Sequence, residues 1–233
     1  MKAETAPPGA ARRIRSFVRR EGRLTPGQQR ALDELYPRFG LTRPQGLLDL
    51  DAAFGRTAPV VLDIGFGDGE ALAELALSHP ERNYLGIEVY RSGVGRLLRT
   101  LEREGIDNVR VLEADAVEVL RQNIPPASLA GLQLFFPDPW PKKRHHKRRM
   151  VQPGWLALVA ERLAPGAFLH LATDWADYAE HMLAVVGSEP RLENPAGGFA
   201  PDRGERPQTK FERRGRSKGH QVYDLILRRR DGA

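Results

Sequence analysis

From residue 59 onwards, apolar segments of strand length alternate with segments of helical spacing, and this alternation constrains the fold more than any other feature. The predicted strands are 59–65, 84–89, 109–115, 132–138 and 167–174. The predicted helices are 69–78, 92–104, 155–163 and 176–186. Strands that alternate with helices form an α/β fold with a doubly wound, mostly parallel sheet. No helix follows the apolar run at 219–229, so we predict a C-terminal antiparallel strand there.

Length and composition indicate one main domain preceded by two shorter segments. The chain has 233 residues, of which 41% are hydrophobic and 28% charged, a balance typical of soluble proteins. We expect a disordered tail at 1–11, a basic N-terminal arm and helix at 12–58, and the main domain at 59–233. The sequence contains no cysteine, no signal peptide and no apolar run near the ~20 residues of a membrane helix. We therefore expect a cytoplasmic protein without a membrane partner.

Basic residues are concentrated in three clusters. The net charge is +6, and the segment 142–149 alone carries six Lys and Arg residues. Two further clusters lie at 12–20 and 203–218. Solvated surface charge is a sufficient explanation for any one cluster. Three clusters on one chain indicate a polyanionic partner such as a nucleic acid.

Glycines and acids occupy the predicted carboxyl ends of the first four strands. They are Asp63, Gly65, Gly67, Glu88, Asp115 and Asp138. Glycine lets a backbone approach a ligand closely, and an acid at the end of the second strand can accept both hydroxyl groups of a ribose. Ligands of open α/β sheets bind at this edge, so we expect these residues to converge on one pocket.

Two nucleoside-containing cofactors compete for this pocket. Nicotinamide dinucleotides bind to G-x-G-x-x-G, whereas residues 65–69 have G-x-G-x-G with Asp63 just before them. An acid at that place repels a pyrophosphate and attracts a cation. S-adenosylmethionine carries a positive sulfonium and a positive amino group, so the residues favour a methyltransferase over a dehydrogenase.

Asp138 is the candidate catalytic residue, because it lies between a predicted strand and the basic segment 142–149. Methyl transfer from a sulfonium moves positive charge onto the attacking atom, and a nearby carboxylate stabilises that charge. The alternative is that Asp138 only caps the turn that follows it. Trp140 either stacks on a base or packs in the core, and the sequence leaves both roles open. His145 and His146 have no partner acid at metal spacing, so we expect no metal.

Five segments resemble those of bacterial tRNA (guanine-N7-)-methyltransferases. They are RSFVRREGRLTPGQ (15–28), DIGFGDG (63–69), FPDPWPKKRHHKRR (136–149), ATDW (172–175) and TKFERRG (209–215). The resemblance extends in order over residues 12–230, and the run PDPWPKKRH is not shared with methyltransferases in general. One departure is Asp63, where many members have glutamate, and the shorter acid keeps the charge but alters its reach.

The resemblance implies that 59–233 is a class I, Rossmann-like S-adenosylmethionine-dependent methyltransferase domain, which forms 7-methylguanosine in the tRNA variable loop. It assigns cofactor binding to Asp63, Gly65, Gly67, Glu88, Asp115 and Asp138, and catalysis to Asp138. It assigns substrate contacts to Lys142, Asp174, Thr209, Lys210, Phe211 and Glu212. It assigns RNA contacts to Arg144, His145, His146, Lys147, Arg148 and Arg149. N7 of guanine has a lone pair and no proton, so its attack needs no strong base.

Two other functions remain as alternatives. One is an RNA-binding relative that has lost activity, although a binding module has no need of carboxylates that face an RNA. The other is methylation of another RNA base or of a protein. Amino-group methyltransferases tend to have N/D-P-P-Y/F after the fourth strand, whereas Trp140 and Pro141 follow Pro139 here. The oligomeric state, monomer or homodimer, is not determined by the sequence.

Overall fold

The structure is a computed structural model that describes residues 16–17, 23–208, 212 and 221–232. The strands within these residues are β1 (Val60–Ile64), β2 (Asn83–Glu88), β3 (Val109–Glu113), β4 (Leu129–Phe135), β5 (Leu163–Thr173), β6 (Leu192–Glu193) and β7 (Tyr223–Arg229). The helices are α1 (Pro26–Glu34), α2 (Tyr36–Phe39), α3 (Leu50–Phe54), α4 (Glu70–Ser78), α5 (Arg91–Glu104), α6 (Ala116–Gln122), α7 (Pro153–Arg162) and α8 (Ala176–Val186), and a 3₁₀ helix spans Lys143–Arg148. Among these described helices, none has the length and apolar character needed to cross a membrane.

The strands form one mixed sheet in the order β3-β2-β1-β4-β5-β7-β6. Strands β1 to β5 pair in parallel, whereas β7 runs antiparallel to both β5 and β6. The predicted doubly wound, mostly parallel sheet with an antiparallel C-terminal strand is confirmed. The strand order reverses between β1 and β4, and open α/β sheets bind ligands in the crevice at such a reversal.

Helices cover both faces of the sheet, which explains why its central strands are apolar throughout. Every residue of β1 and β2 is buried, as expected for parallel strands between two helical layers. Successive residues of β1 face opposite layers. Val61 belongs to the hydrophobic cluster that includes α1, α4 and α5, and Leu62 belongs to the cluster that includes α6, α7 and α8. The helices of the two layers thus pack against opposite faces of the sheet and support the strands whose carboxyl ends carry the acids.

The described part of the N-terminal region packs against the same sheet. Helix α1 begins with a capping box, in which Thr25 Oγ1 accepts from the Gln28 backbone N–H at 3.3 Å and Gln28 Oε1 accepts from the Thr25 N–H at 2.9 Å. Gln28 Nε2 also donates to the Ser92 carbonyl of α5 at 3.1 Å. Gly40 forms an isolated bridge with Val111 of β3. The helix predicted in this region is therefore present, and it is joined to the edge of the sheet.

Two differences from the predicted elements affect the edge that carries the acids. Strand β4 ends at Phe135 and not at 138, so Asp138 lies in the following loop. Pro137 precedes Asp138, and proline has no N–H with which to continue a β ladder. Helix α6 was not predicted, because seven residues are too few to show helical periodicity. Its start is marked by Asp115, whose carboxylate accepts from the Val117 N–H at 3.0 Å.

Candidate active site

A large cavity opens at the carboxyl edge of the sheet, where the strand order reverses. Its volume is about 1140 Å³, enough for a nucleoside-containing ligand. The acids that were predicted to converge all line it, and they are Asp63, Glu88, Asp115 and Asp138. The fold therefore brings residues from four strand ends into one site, and their assignment to a cofactor remains a prediction.

The turn between β1 and α4 depends on glycine for its backbone conformation. Gly65 and Gly67 have φ angles of 72° and 61°, in the left-handed region where most side chains are strained. A Cβ at either position would have no neighbouring atom within 4 Å, so conformation and not crowding explains these glycines. The turn brings the Gly67 N–H to Glu88 Oε2 at 2.9 Å. It thus joins the ends of β1 and β2 beside the cavity.

Glu88, the last residue of β2, is held by three backbone N–H groups. Its Oε2 accepts from Gly67 at 2.9 Å, and its Oε1 accepts from Val89 at 2.7 Å and Tyr90 at 3.1 Å. Burial raises the pKa of Glu88, these N–H groups oppose the rise, and the charge of Asp138 adds to it. A carboxylate has about four acceptor positions, so this fixed side chain can still accept hydrogen bonds from ligand hydroxyl groups.

Asp63 is buried in β1 and lies close to Glu88. Only 3% of its surface is exposed. Burial, and then the charge of Glu88, raises the pKa of Asp63 from 3.8 to about 7. Carboxyl groups with shifts of this size are concentrated at functional sites. Near neutral pH, a carboxyl group with this pKa is only partly ionised, and a cationic ligand beside it favours the ionised form.

Asp138 lies in a loop whose backbone is strained on both sides. Phe136 and Trp140 have φ angles of 53° and 47°, values that side chains of this size rarely adopt. The Phe136 N–H donates to the Ala172 carbonyl of β5 at 2.8 Å, so the loop starts from a fixed point. Asp138 itself is exposed and lines the cavity. Strain of this kind persists only where the surrounding structure enforces it, and it is frequent at active sites.

The basic segment that follows Asp138 presents most of its cations to solvent. The exposed side chains are Lys142, Lys143, Arg144 and Lys147, and the half-buried ones are His145, His146 and Arg148. The 3₁₀ helix at Lys143–Arg148 fixes the backbone of this segment next to the Asp138 loop. The predicted contacts of Lys142, Arg144, His145, His146, Lys147 and Arg148 with RNA or substrate therefore remain compatible with their positions.

Arg149 differs from the rest of the segment, because its side chain is only 1% exposed. Its Nε donates to the Pro139 carbonyl at 2.9 Å, and its guanidinium pairs with Asp177 of α8. The guanidinium also packs over the Tyr178 ring at 4.9 Å. Arg149 thus joins the Asp138 loop to α8. The RNA contact implied by the resemblance does not fit this buried position, and Arg149 is left out of the proposed RNA surface.

Trp140, for which the sequence left two roles open, is packed within the protein. Its Nε1 donates to the Ser16 carbonyl at 3.1 Å. The guanidinium of Arg148 lies over its ring at 4.6 Å, and His145 contacts the ring edge-on at 5.9 Å. The indole is therefore occupied by protein groups and has a packing role in this structure.

The residues assigned to substrate contacts are in different environments. Thr209, Lys210 and Phe211 lie outside the described residues. Lys142 is exposed just before the 3₁₀ helix, and Asp174 is half-buried just after β5. Glu212 is fully buried, so direct contact with a substrate does not fit its position here.

Glu212 belongs to a buried ion-pair network that the sequence did not reveal. Arg206 is 2% exposed. It donates to Glu212 Oε2 at 2.7 Å and to the two carboxylate oxygens of Asp224 at 2.8 and 3.0 Å. His170 of β5 contacts the same carboxylate at 2.8 Å, and the Arg206 guanidinium lies over the Phe136 ring at 5.3 Å. The network thus supports the first residue of the loop after β4.

Comparison with known proteins identifies the class of the fold. The methyltransferase family model Methyltransf_4 matches residues 57–225. The solved structure of the 16S rRNA methyltransferase KamB has a TM-score of 0.53 at 20% identity, and the match covers 83% of this chain and 99% of that chain. At that identity the likeness concerns the fold alone. The match to the family model, together with the fold, thus identifies a methyltransferase with a class I, Rossmann-like sheet.

Two curated relatives identify the family more closely. The tRNA (guanine-N(7)-)-methyltransferase of Alkalilimnicola ehrlichii is 68% identical over 224 residues, which cover 94% of this chain and 94% of the relative. The protein of the same name from Halorhodospira halophila is 62% identical over 222 residues, which cover 94% of this chain and 96% of the relative. The chain therefore belongs to the tRNA (guanine-N(7)-)-methyltransferase family.

Proposed function

We propose that this protein transfers the methyl group of S-adenosylmethionine to N7 of a guanosine in the variable loop of tRNA, which forms 7-methylguanosine. The observation that carries the proposal is the position of Asp138, between a cavity lined by carboxylates and the exposed 3₁₀ helix Lys143–Arg148, which we call the basic helix. Such a cavity suits a cationic nucleoside, and the basic helix suits the phosphates of an RNA. The names of the relatives support tRNA as the substrate and N7 as the methylated atom.

The residues of the cavity fit S-adenosylmethionine, which supplies an electrophilic methyl group when bound. Glu88 would accept hydrogen bonds from the ribose hydroxyls. Asp63 and Asp138 would offer negative charge to the sulfonium and amino groups. The glycine turn at 65–67 would bring the backbone close to the ligand. The same carboxylates oppose a pyrophosphate, so they disfavour a dinucleotide.

Asp138 is the residue that we assign to catalysis. Guanine N7 has an in-plane lone pair and no proton, so the protein need not supply a general base. The base becomes cationic when it is methylated, and a carboxylate held beside it stabilises this charge. The Arg149 contact with the Pro139 carbonyl and the Phe136 hydrogen bond to β5 keep the loop in place. The field of Asp138 is thereby preorganised.

An assay with methyl-labelled S-adenosylmethionine tests the proposal directly. The purified protein is incubated with bulk tRNA that lacks the modification, and the digested nucleosides are separated and identified by mass spectrometry. We expect label in 7-methylguanosine, and in the oligonucleotide of the variable loop when the tRNA is instead cut with a base-specific ribonuclease. Label in another base would contradict the proposed specificity. Binding of tRNA without any transfer of label would favour a non-catalytic relative.

The affinity for S-adenosylmethionine is expected to rise with pH because of Asp63. The pKa of Asp63 is about 7, and a cation binds best to the ionised form. Below that pKa, binding must release a proton, so affinity should increase by up to about tenfold per pH unit and level off above it. Calorimetry at several pH values measures this profile. The Asp63→Asn variant should show a flatter profile.

Two outcomes would contradict this account of Asp63. One is an affinity that does not change between the acidic and basic sides of the pKa, and the other is an unaltered profile in Asp63→Asn. S-adenosylhomocysteine, which lacks the sulfonium charge, should show a weaker dependence of its affinity on pH.

The stability of the protein should depend on pH in the opposite direction, because the pKa of Asp63 is higher in the folded chain than its unfolded value of 3.8. The contribution of Asp63 to the free energy of unfolding is complete below pH 3.8 and is lost as pH rises through about 7.

Replacing exposed cations of the basic helix should flatten the salt dependence of tRNA binding. In the triple variant Lys143→Ala, Arg144→Ala and Lys147→Ala, each lost phosphate contact should lower the slope of log affinity against log salt by about 0.7 to 0.9. The affinity for S-adenosylmethionine should not change, because these side chains lie outside the cavity lining. Fluorescence anisotropy over a range of salt concentrations measures the slope.

A matched triple variant removes the same charge far from the site. Its substitutions are Arg121→Ala, Arg228→Ala and Arg230→Ala, at exposed residues towards the amino edge of the parallel strands. This control should keep the wild-type slope. Equal slopes in the two triple variants would mean that the basic helix carries only ordinary surface charge.

A further inference from the structure

The three tryptophans of the chain occupy different environments. Trp155 is 6% exposed in the core, and Trp140 is covered by protein groups. Trp175 is 40% exposed, and within the described residues no ring or cation packs against its indole. A single exposed apolar side chain is normal on a protein surface. The position of Trp175 is what distinguishes it.

Trp175 is held firmly at the carboxyl edge of the sheet. It follows Asp174 after β5 and is the N-cap residue of α8. Its N–H donates to Thr173 Oγ1 at 3.2 Å, and its carbonyl accepts from the N–H groups of Tyr178 at 3.0 Å and Ala179 at 2.9 Å. An aromatic ring on so rigid a backbone loses little conformational entropy when it binds a ligand.

The exposed basic helix contacts the same end of α8. Asp177, in the first turn of α8, pairs with Arg149 and lies 3.7 Å from His146 Nε2. Trp175 is two residues before Asp177, so it lies at the end of α8 that the basic helix contacts, on the edge of the sheet that also holds Asp138. Proteins bind single-stranded nucleic acids with this combination, because bases stack on the ring while cations hold the phosphates.

We propose that the indole of Trp175 is a stacking platform for an unpaired tRNA base next to the target guanosine. This inference rests on the proposed function. An enzyme that modifies a base takes it out of its stack, so the neighbouring base loses a stacking partner. The indole replaces that partner. An RNA base is favoured over a protein partner because exposed cations of the basic helix lie at the same end of α8, where His146 approaches Asp177.

Binding measurements with an unmodified tRNA transcript test the platform. Trp175→Ala should raise the tRNA Kd by about 5- to 150-fold, the range for one stacked base, and Trp175→Phe should keep most of the affinity. Leu47→Ala is the matched control, because Leu47 is also exposed, at 59%, and precedes Leu48, which bonds to the end of α6. It should keep the wild-type Kd. The salt slope and the affinity for S-adenosylmethionine should stay unchanged in all three variants.

Transcripts with an abasic site at each nucleotide beside the target guanosine identify the stacked base. Removal of that base should weaken binding to the wild type and not to Trp175→Ala. Equal tRNA affinity of wild type and Trp175→Ala would overturn the inference. If Trp175→Ala also shifted from dimer to monomer, the indole would be a contact between two copies of the chain. A wild-type protein that does not methylate tRNA would overturn the proposed function instead, whatever the result for Trp175.

Discussion

Asp138→Asn should lower the single-turnover rate of methyl transfer by about 10²- to 10³-fold at saturating S-adenosylmethionine and tRNA, the scale for the loss of one preorganised electrostatic group. Asparagine has the same size as aspartate, so the strained loop between Phe136 and Trp140 should keep its shape. The variant loses only the negative charge that we propose to stabilise the methylated base. Rapid quenching of a reaction with excess enzyme measures the rate of the chemical step.

The control for this variant is Asp107→Asn, which removes an exposed carboxylate between α5 and β3. It should keep the wild-type rate. Saturation is essential, because Asp138 also lines the cofactor cavity and its loss can weaken cofactor binding. A near-normal rate at saturation would limit Asp138 to cofactor binding and leave catalysis to proximity. A variant that fails to fold would indicate that Asp138 only caps its turn.

Glu88→Ala should weaken S-adenosylmethionine binding by about 30- to 150-fold, which corresponds to about 2–3 kcal/mol for hydrogen bonds to a charged acceptor. The carboxylate accepts from the backbone of Gly67, Val89 and Tyr90. Its removal therefore also leaves three N–H groups without their partner and loosens the glycine turn. Calorimetry with S-adenosylmethionine and with S-adenosylhomocysteine measures the loss, which should be similar for both because they share the ribose.

Glu88→Gln separates the two effects of this substitution. Glutamine can still accept from two N–H groups through its oxygen, whereas its NH₂ group faces a donor at Gly67. We expect a Kd between those of wild type and Glu88→Ala. An unchanged Kd in Glu88→Ala would remove Glu88 from the site. A large loss of affinity for S-adenosylmethionine alone would indicate that Glu88 acts on the sulfonium and not on the ribose.

The convergence of the strand-end acids was predictable from the sequence. Parallel strands place their carboxyl ends at one edge, so the spacing of Asp63, Glu88 and Asp115 along the chain was enough to bring them together. The parallel direction of the first five strands was also predictable, because helices alternate with them along the chain. The antiparallel direction of the C-terminal strand was predicted as well. These features depend on local pattern and on general rules of topology, which a single sequence contains.

The sequence did not predict which basic side chains are buried. Arg149 and Arg206 belong to charge clusters that resemble solvent-exposed patches, yet both side chains are buried against carboxylates and aromatic rings. Their partners Asp177 and Asp224 are distant in sequence, and no local pattern marks them. The strained backbone at Phe136 was also not predictable, because it depends on a contact with β5 and not on the residue type at this position.

The place of β7 between β5 and β6 has a consequence for synthesis on the ribosome. Of the seven strands, β7 is the last to be made, and it carries the Asp224 carboxylate that pairs with Arg206 and contacts His170. Until Asp224 emerges, the nascent chain has a gap in its sheet and an arginine without its main counter-charge, which is costly to bury. The support for the Phe136 end of the loop that carries Asp138 is therefore completed only after β7 has been made. A nascent chain that reaches only as far as β6 lacks part of the contacts that hold the candidate site together.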